Sequence, residues 1–275
     1  MFHQIHYTMR LKHLLTACIL PFALTMYAGD ENTLGTDNLY PSVVPSSEKF
    51  DESVGEMVNF SIPEEHPAQA YLIRSETPSD NWLFIYHDRW GLSSEVKEEA
   101  YTLWKDLKNV NILAIDLYDG KVAKSSGQAM RFLMSSEYNR NISIIKGAIR
   151  YAGNEAKIGS LGWSVGGAWS LQTAIYAGEK EVACVVYYGM PEYDVNKLKL
   201  IQSDVLAIFA DMDTWVTPGL VSKFQTQMDE AGKDLREIEY KGRGGFANKS
   251  SDKYNYENAE NAYTQVLAYL NSKYN

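Results

Sequence analysis

The sequence predicts an α/β fold in which a mostly parallel central sheet carries helices on both faces. Three observations predict it. Short apolar runs of strand length alternate with segments of helical period from about residue 70 to residue 270. The runs are continuously apolar, which is the pattern of strands covered on both sides rather than on one. From Trp82 onward, neighbouring runs are separated by enough chain for a helix, the connection that parallel pairing requires.

In order along the chain, Ala70-Tyr71-Leu72-Ile73 and Trp82-Leu83-Phe84-Ile85-Tyr86 read as strands. Ser93 to Leu107 reads as a helix opened by Ser93 or Ser94, with Val96, Ala100, Leu103, Trp104 and Leu107 on one face. Asn111 to Ile115 is a buried strand and Tyr138 to Tyr151 a helix. Ile158 to Gly162 is the next strand, and a helix from Val165 to Tyr176 follows it closely. Val182 to Tyr187 and Val205 to Phe209 are strands. Pro218, suited to a first helical turn, opens a helix to Ala231. Leu235 to Tyr240 closes the strand set and Asn255 to Leu270 is the final helix. Ligands of such sheets sit at the carboxyl ends of the strands, so the loops there are where chemistry is expected.

The first 49 residues read differently. Met9-Arg10-Leu11-Lys12-His13 is a short basic segment, Leu14 to Met26 is an apolar run, and the small residue Ala28 follows. Residues 1–28 are therefore expected to be an export signal cleaved near Ala28-Gly29, in a periplasmic or extracellular protein. The run is short for an anchor helix, which needs about 20 residues. Leu15-Thr16-Ala17-Cys18 is a lipoprotein-box alternative, disfavoured because the apolar run lies mostly after Cys18. Residues 29–49 are polar and aperiodic and read as a linker, leaving residues 50–275 as one domain. A net charge of −9 argues against a nucleic-acid partner. With the signal removed, Cys184 is alone in the apolar run Val182 to Tyr187, so a buried inert thiol is expected and no internal disulfide.

Gly162-Trp163-Ser164-Val165-Gly166-Gly167 fits G-x-S-x-G and falls between a predicted strand and a predicted helix. That spacing suits a nucleophile on a strained turn: Ser164 projects above the sheet, and glycines two residues to either side let strand and helix approach. The amide of Val165, at the helix N-terminus, is then aimed at a developing oxyanion.

Around this elbow the chain resembles the dienelactone hydrolase family of the α/β-hydrolase superfamily. Tyr86 to Leu92 looks like the segment after an early strand that places an acidic residue, here Asp88, near the nucleophile. Asp116-Leu117-Tyr118-Asp119-Gly120-Lys121-Val122-Ala123 is close to the family's Asp-Leu-Tyr segment. Gly162 to Gly167 resembles its Gly-x-Cys-x-Gly-Gly elbow, with serine for the usual cysteine. Ala210 to Val216 resembles the loop carrying the triad acid, and Tyr240 to Asn248 with Tyr254-Asn255 the histidine loop and last helix. The resemblance covers about Val54 to Leu270. It implies an α/β-hydrolase fold, Ser164 as nucleophile and Asp213 as acid, with Asp211 the competing choice.

The pattern breaks at the base. Family members read roughly Tyr-x-x-x-His-x-Phe in the last loop, and Tyr240-Lys241-Gly242-Arg243-Gly244-Gly245-Phe246 puts Gly244 in the histidine's place. No histidine follows His87, and only His66 and His87 remain in the expected mature chain. A serine hydroxyl needs a base to take its proton and to return it to the leaving group. His87, on the active edge, is either an organiser of the oxyanion side or a replacement base. Members that act on dienelactone hold its carboxylate with arginines, and neither Asn248 nor Asp119-Gly120-Lys121 offers an equivalent. Trp90, Trp163 and Trp215 lie in active-edge loops, as a substrate wall or as packing beneath it. The expectation is an exported hydrolase of a small carboxylic ester or lactone, impaired by the missing histidine, that uses no cofactor and no metal. A binding protein that keeps the pocket is the alternative. The sequence leaves the oligomeric state open.

Overall fold

The computed structural model describes residues 50–274; the expected export signal (1–28) and the expected linker (29–49) lie outside the described residues. Eight strands form one sheet: β1 Glu56–Phe60, β2 Ala68–Ile73, β3 Asn81–Tyr86, β4 Asn111–Ile115, β5 Lys157–Trp163, β6 Glu181–Tyr187, β7 Val205–Ala210 and β8 Leu235–Tyr240. Their order is β1-β2-β4-β3-β5-β6-β7-β8, antiparallel for β1–β2 and β2–β4 and parallel from β4 to β8. The α-helices are α1 Ser94–Leu107, α2 Ser126–Ser135, α3 Tyr138–Ala152, α4 Val165–Ala177, α5 Val195–Leu198, α6 Pro218–Ala231 and α7 Tyr256–Tyr274. This is the α/β-hydrolase fold.

Alternation of side chains along each strand divides the core into two layers. Leu83, Ile85, Ile112, Ala114, Val185 and Ile208 pack on one face against Leu103 of α1 and Val266 and Leu270 of α7. On the other face, Phe84, Leu113 and Ile158 meet Ile144 and Ala148 of α3, while Val186, Ala207 and Phe209 meet Leu171 of α4 and Phe224 of α6. Helix α4 is the most deeply set. Ten of its 13 residues are buried, including Ser170, Gln172 and Thr173, so it shows little of the apolar stripe of a surface helix. Cys184 lies here with its sulfur 3.6 Å from the Ser170 hydroxyl, and burial pushes its thiol up to about 12.

Elements the sequence pattern does not reveal are β1, α2 and α5. β1 is an edge strand with one buried residue, Phe60. α2 buries only Ala129 along ten residues, so packing leaves almost no periodic mark. At the opposite edge, β8 turns Arg236, Glu237 and Glu239 outward, which blunts an otherwise free hydrogen-bonding edge.

Candidate active site

The carboxyl ends of β3 to β8 gather the sequence-predicted residues on one edge of the sheet. Ser164 stands between β5 and α4 with φ 55° and ψ −119°, a backbone conformation that non-glycine residues rarely adopt. The turn is held from both sides. The Ser164 amide donates to the Tyr187 carbonyl (2.9 Å), and its own carbonyl accepts from the Gly167 amide (3.0 Å). A Cβ at Gly162 would lie 2.2 Å from the Gly166 carbonyl oxygen, and one at Gly166 would lie 2.3 Å from that of Tyr86. Both positions therefore need glycine for backbone to touch backbone. The side chain so raised is exposed, and Val165 behind it is the first residue of α4, where amides lack intrahelical acceptors and the helix dipole favours negative charge.

Asp213 lies beyond β7, one strand further along than β6. It is buried, and its Oδ1 accepts from the amides of Trp215 (2.7 Å) and Val216 (3.2 Å). A Cβ built on Gly244 would sit 1.9 Å from Asp213 Oδ2. The two positions are in direct contact, and the carboxylate fills the volume that the stem of a side chain at 244 would take. Asp211 does something else: its Oδ1 accepts from the Gly242 amide (2.8 Å) and so pins the start of the same loop. Of the two aspartates, Asp213 is the one that meets position 244.

His87 follows β3 and is fully buried. Its Nδ1 lies 2.6 Å from the Asp88 carbonyl oxygen and its Nε2 accepts from the Leu117 amide (3.1 Å), which assigns the proton to Nδ1. Burial holds its pKa below the ordinary value, so the ring is neutral. With both nitrogens committed to main chain it is an organiser of the β3 and β4 loops and has no lone pair for Ser164; the replacement-base reading is corrected accordingly. Asp88, next in the chain, accepts from the Trp90 amide (2.9 Å) and from Asn248 Nδ2 (3.2 Å). Burial raises its carboxyl above the usual range. Asn248 thereby ties the last loop to the β3 loop, a contact between distant segments with no mark in the sequence.

The three tryptophans form no common wall. Trp163 stacks on Tyr187 (5.8 Å between ring centres), Trp90 carries the Arg89 guanidinium at 5.7 Å, and Trp215 contributes its amide to Asp213. A cavity of about 430 Å³ opens elsewhere on this edge, beyond β4, between Leu117, Tyr118, Phe132, Arg140 and Asn141, and none of those tryptophans lines it. Tyr118 connects the two regions, its ring 4.7 Å from that of His87. Sequence reasoning also missed Tyr188, which follows β6 at φ 38° and packs edge-on to Phe246 beneath the histidine-position loop.

Comparison with known proteins agrees with this fold. The family model described as "Dienelactone hydrolase family" matches residues 68–274. The chain is 24% identical over 235 residues to Protein usf of Aquifex pyrophilus, covering 79% of this chain and 98% of that one. Among solved structures, a dienelactone hydrolase-like promiscuous phosphotriesterase from metagenomic libraries superimposes with a TM-score of 0.70 at 15% identity, over 80% of this chain and 98% of that one. A dienelactone hydrolase from Anabaena variabilis gives 0.55 at 17%, over 80% and 95%. Acylaminoacyl peptidase from Pyrococcus horikoshii gives 0.59 at 12%, over 80% of this chain and 42% of the larger enzyme. At these identities the solved structures speak for the fold alone.

Proposed function

We propose, on the premise that this chain belongs to the dienelactone hydrolase family, that it is an exported hydrolase cleaving a small carboxylic ester or lactone through an acyl-enzyme on Ser164. The observation that carries the reading is the elbow: an exposed serine at φ 55°, between β5 and α4, kept in that conformation by two glycines with no room for a side chain. Strain of this kind costs about 1–3 kcal/mol and persists where the surroundings enforce it, most often at working sites.

In this reading Ser164 Oγ attacks the acyl carbon, and the Val165 amide with the α4 dipole receives the charge that develops on the carbonyl oxygen. His87 keeps the oxyanion side in shape through its two main-chain hydrogen bonds. Asp213 stands as the triad acid beside a position that carries no imidazole. Catalysis then rests on the oxyanion site and on binding, which alone give roughly 10³- to 10⁴-fold over water when a triad member is absent. Activated esters with good leaving groups suit such a site best, because the leaving group needs no proton.

The test is incubation of the mature protein with para-nitrophenyl acetate, followed by intact-mass measurement and peptide mapping. An acetyl group on Ser164, absent from Ser164→Ala, is the expected result; no adduct at any pH sinks the nucleophile assignment. A binding role without turnover is the second reading, favoured by the contact of Gly244 with Asp213 and by the commitment of both His87 nitrogens. Tight ester binding with an empty Ser164 would select it.

A further inference from the structure

The cavity beyond β4 has hydrogen-bonding groups that the protein leaves unmet. Six buried side-chain polar atoms lack a partner among the described residues. Three of them, the Tyr118 hydroxyl, Arg140 Nε and Asn141 Oδ1, belong to side chains lining this one cavity of about 430 Å³. Buried polar groups are ordinarily paired, because their desolvation is otherwise uncompensated. Tyr118 is 7% exposed and Asn141 1%. Both residues are anchored through their other polar groups. The Tyr118 amide donates to Asp116 Oδ1 (2.8 Å) and Asn141 Nδ2 donates to Ser136 Oγ (2.8 Å), which leaves the hydroxyl and the amide oxygen unused.

The three unmet atoms are one donor, one acceptor and one group that serves as either. An apolar wall stands beside them: the Tyr118 and Phe132 rings meet edge to face at 6.0 Å, and Leu117 lines the cavity with them. The guanidinium is already committed. Arg140 Nη1 donates to Glu65 (2.9 Å) and to the His66 carbonyl (2.9 Å), and Nη2 donates to Asp119 (2.8 Å) and to the Pro67 carbonyl (3.3 Å). His66 Nε2 lies 3.1 Å from the same Asp119 carboxylate. An anionic ligand would therefore meet two carboxylates around the cation it needs.

We infer that this cavity binds a neutral sugar unit, with its hydroxyls on Tyr118, Arg140 Nε and Asn141 and a C–H face against Phe132. A vicinal diol donates and accepts at adjacent atoms, so it satisfies a donor and an acceptor together, and a pyranose offers an apolar C–H face to an aromatic ring. The volume falls within the range of small-molecule sites, about 300–1,000 Å³. The three polar atoms are closed to solvent, so the sugar reaches them by displacing a wall. Helix α2, which supplies Phe132 and Ser135 to the lining and buries only Ala129, is the wall least held by packing. The site is independent of the serine-hydrolase reading, since neither Ser164 nor Asp213 lines it.

The experiment is saturation-transfer NMR and isothermal titration of the mature protein with the methyl glycosides of D-glucose, D-galactose, D-mannose and D-xylose, each to tens of millimolar. Methyl D-glucuronate carrying a free carboxylate is the anionic control. Saturable binding of at least one neutral glycoside is expected. Tyr118→Phe removes only a hydroxyl without a partner, so it should weaken that binding about fivefold, the contribution of one ordinary hydrogen bond, with a melting temperature no lower than the parent's. A tyrosine with a merely structural role would show the reverse, a lower melting temperature and unchanged binding, and that result overturns the inference. Phe132→Ala should weaken binding as well, through the lost ring face. Three other results overturn the inference: no neutral glycoside saturates, one binds equally to the parent and both variants, or the glucuronide binds more tightly than the glucoside.

Discussion

Gly244→His puts a side chain where the Asp213 carboxylate now lies, and the structure sets the size of both consequences. Backbone is no obstacle, because φ at Gly244 lies outside the left-handed region, unlike that of Gly242 (134°) or Gly245 (94°). The obstacle is the 1.9 Å approach of the new Cβ to Oδ2. Asp213 must turn, and the turn endangers the longer of its two amide hydrogen bonds, that from Val216 at 3.2 Å. A hydrogen bond to a charged group contributes about 1.5–3 kcal/mol. For a domain of this size that corresponds to a melting temperature lower by about 3–12 °C. Once turned, the carboxylate is beside an imidazole, and a positioned base contributes about 10²- to 10⁴-fold. The strained fit places the expected gain in kcat/KM near the lower bound, about 10²-fold over the parent. The assay is para-nitrophenyl acetate hydrolysis alongside thermal melts of the parent, Gly244→Ala and Gly244→His, with Ser164→Ala as blank. Gly244→Ala should show the melting loss without the rate gain. Two results would refute the reasoning: a folded Gly244→His no faster than the parent, which separates Asp213 from Ser164, or a Gly244→Ala as stable as the parent, which removes Asp213 from the contact described.

Further outcomes follow from burial and from the contacts described. His87→Phe strands the Leu117 amide and the Asp88 carbonyl, at about 1–3 kcal/mol each, so denaturant unfolding should show a loss of about 2–6 kcal/mol. His87 is held neutral by burial, so below its unfolded pKa of about 6.5 the unfolded chain binds the extra proton. Its share of stability is therefore full above that pH and falls as pH drops through it; a parent minus His87→Phe difference that stayed flat from pH 7.5 to pH 5.5 (about one unit either side of that value) would contradict the buried neutral ring. Gly166→Ala drives a methyl to within 2.3 Å of the Tyr86 carbonyl oxygen and should cost about 3 kcal/mol or more, whereas Gly153→Ala, in open space at φ 101°, should cost about 1–2 kcal/mol; equal losses would mean the elbow is not tightly packed. The Cys184 thiol, pushed up to about 12 by burial, should resist an aromatic disulfide reagent at pH 8 (below the ordinary thiol range) until denaturant is added, and prompt labelling of the native protein would place it nearer the surface than described.

Legibility in the sequence followed burial. Trp82 to Tyr86 and Val205 to Phe209 were readable because both faces of those strands are covered, which forces every position to be apolar. Glu56 to Phe60 was not, since a solvated edge strand constrains one residue in five. The elbow was legible because its geometry demands glycine at Gly162 and Gly166, and such demands are local. What decides the role of His87 is not local. Its partners are the adjacent Asp88 carbonyl and the amide of Leu117, 30 residues away, and only the pairing of β3 with β4 brings that amide within reach. The same holds for Asn248 and Asp88, 160 residues apart. The cavity beyond β4 gathers segments from Glu65 to Asn141 with no shared motif.

The absence of a histidine leaves the rest of this edge intact because no contact that builds the elbow passes through position 244. Ser164 is held by Tyr187 and Gly167, and Gly166 lies against Tyr86 and His87. Asp213 is held by its own loop through Trp215 and Val216, and the 244 loop is fixed from its other end by Asp211 on Gly242 and by Asn248 on Asp88. Loss of the imidazole therefore removes a proton carrier without removing a support. A strained serine costs stability, about 1–3 kcal/mol, and a scaffold with no remaining use for it would be more stable with that turn relaxed. That the strain persists while Asp213 stays anchored by the Trp215 and Val216 amides argues for an edge still in use.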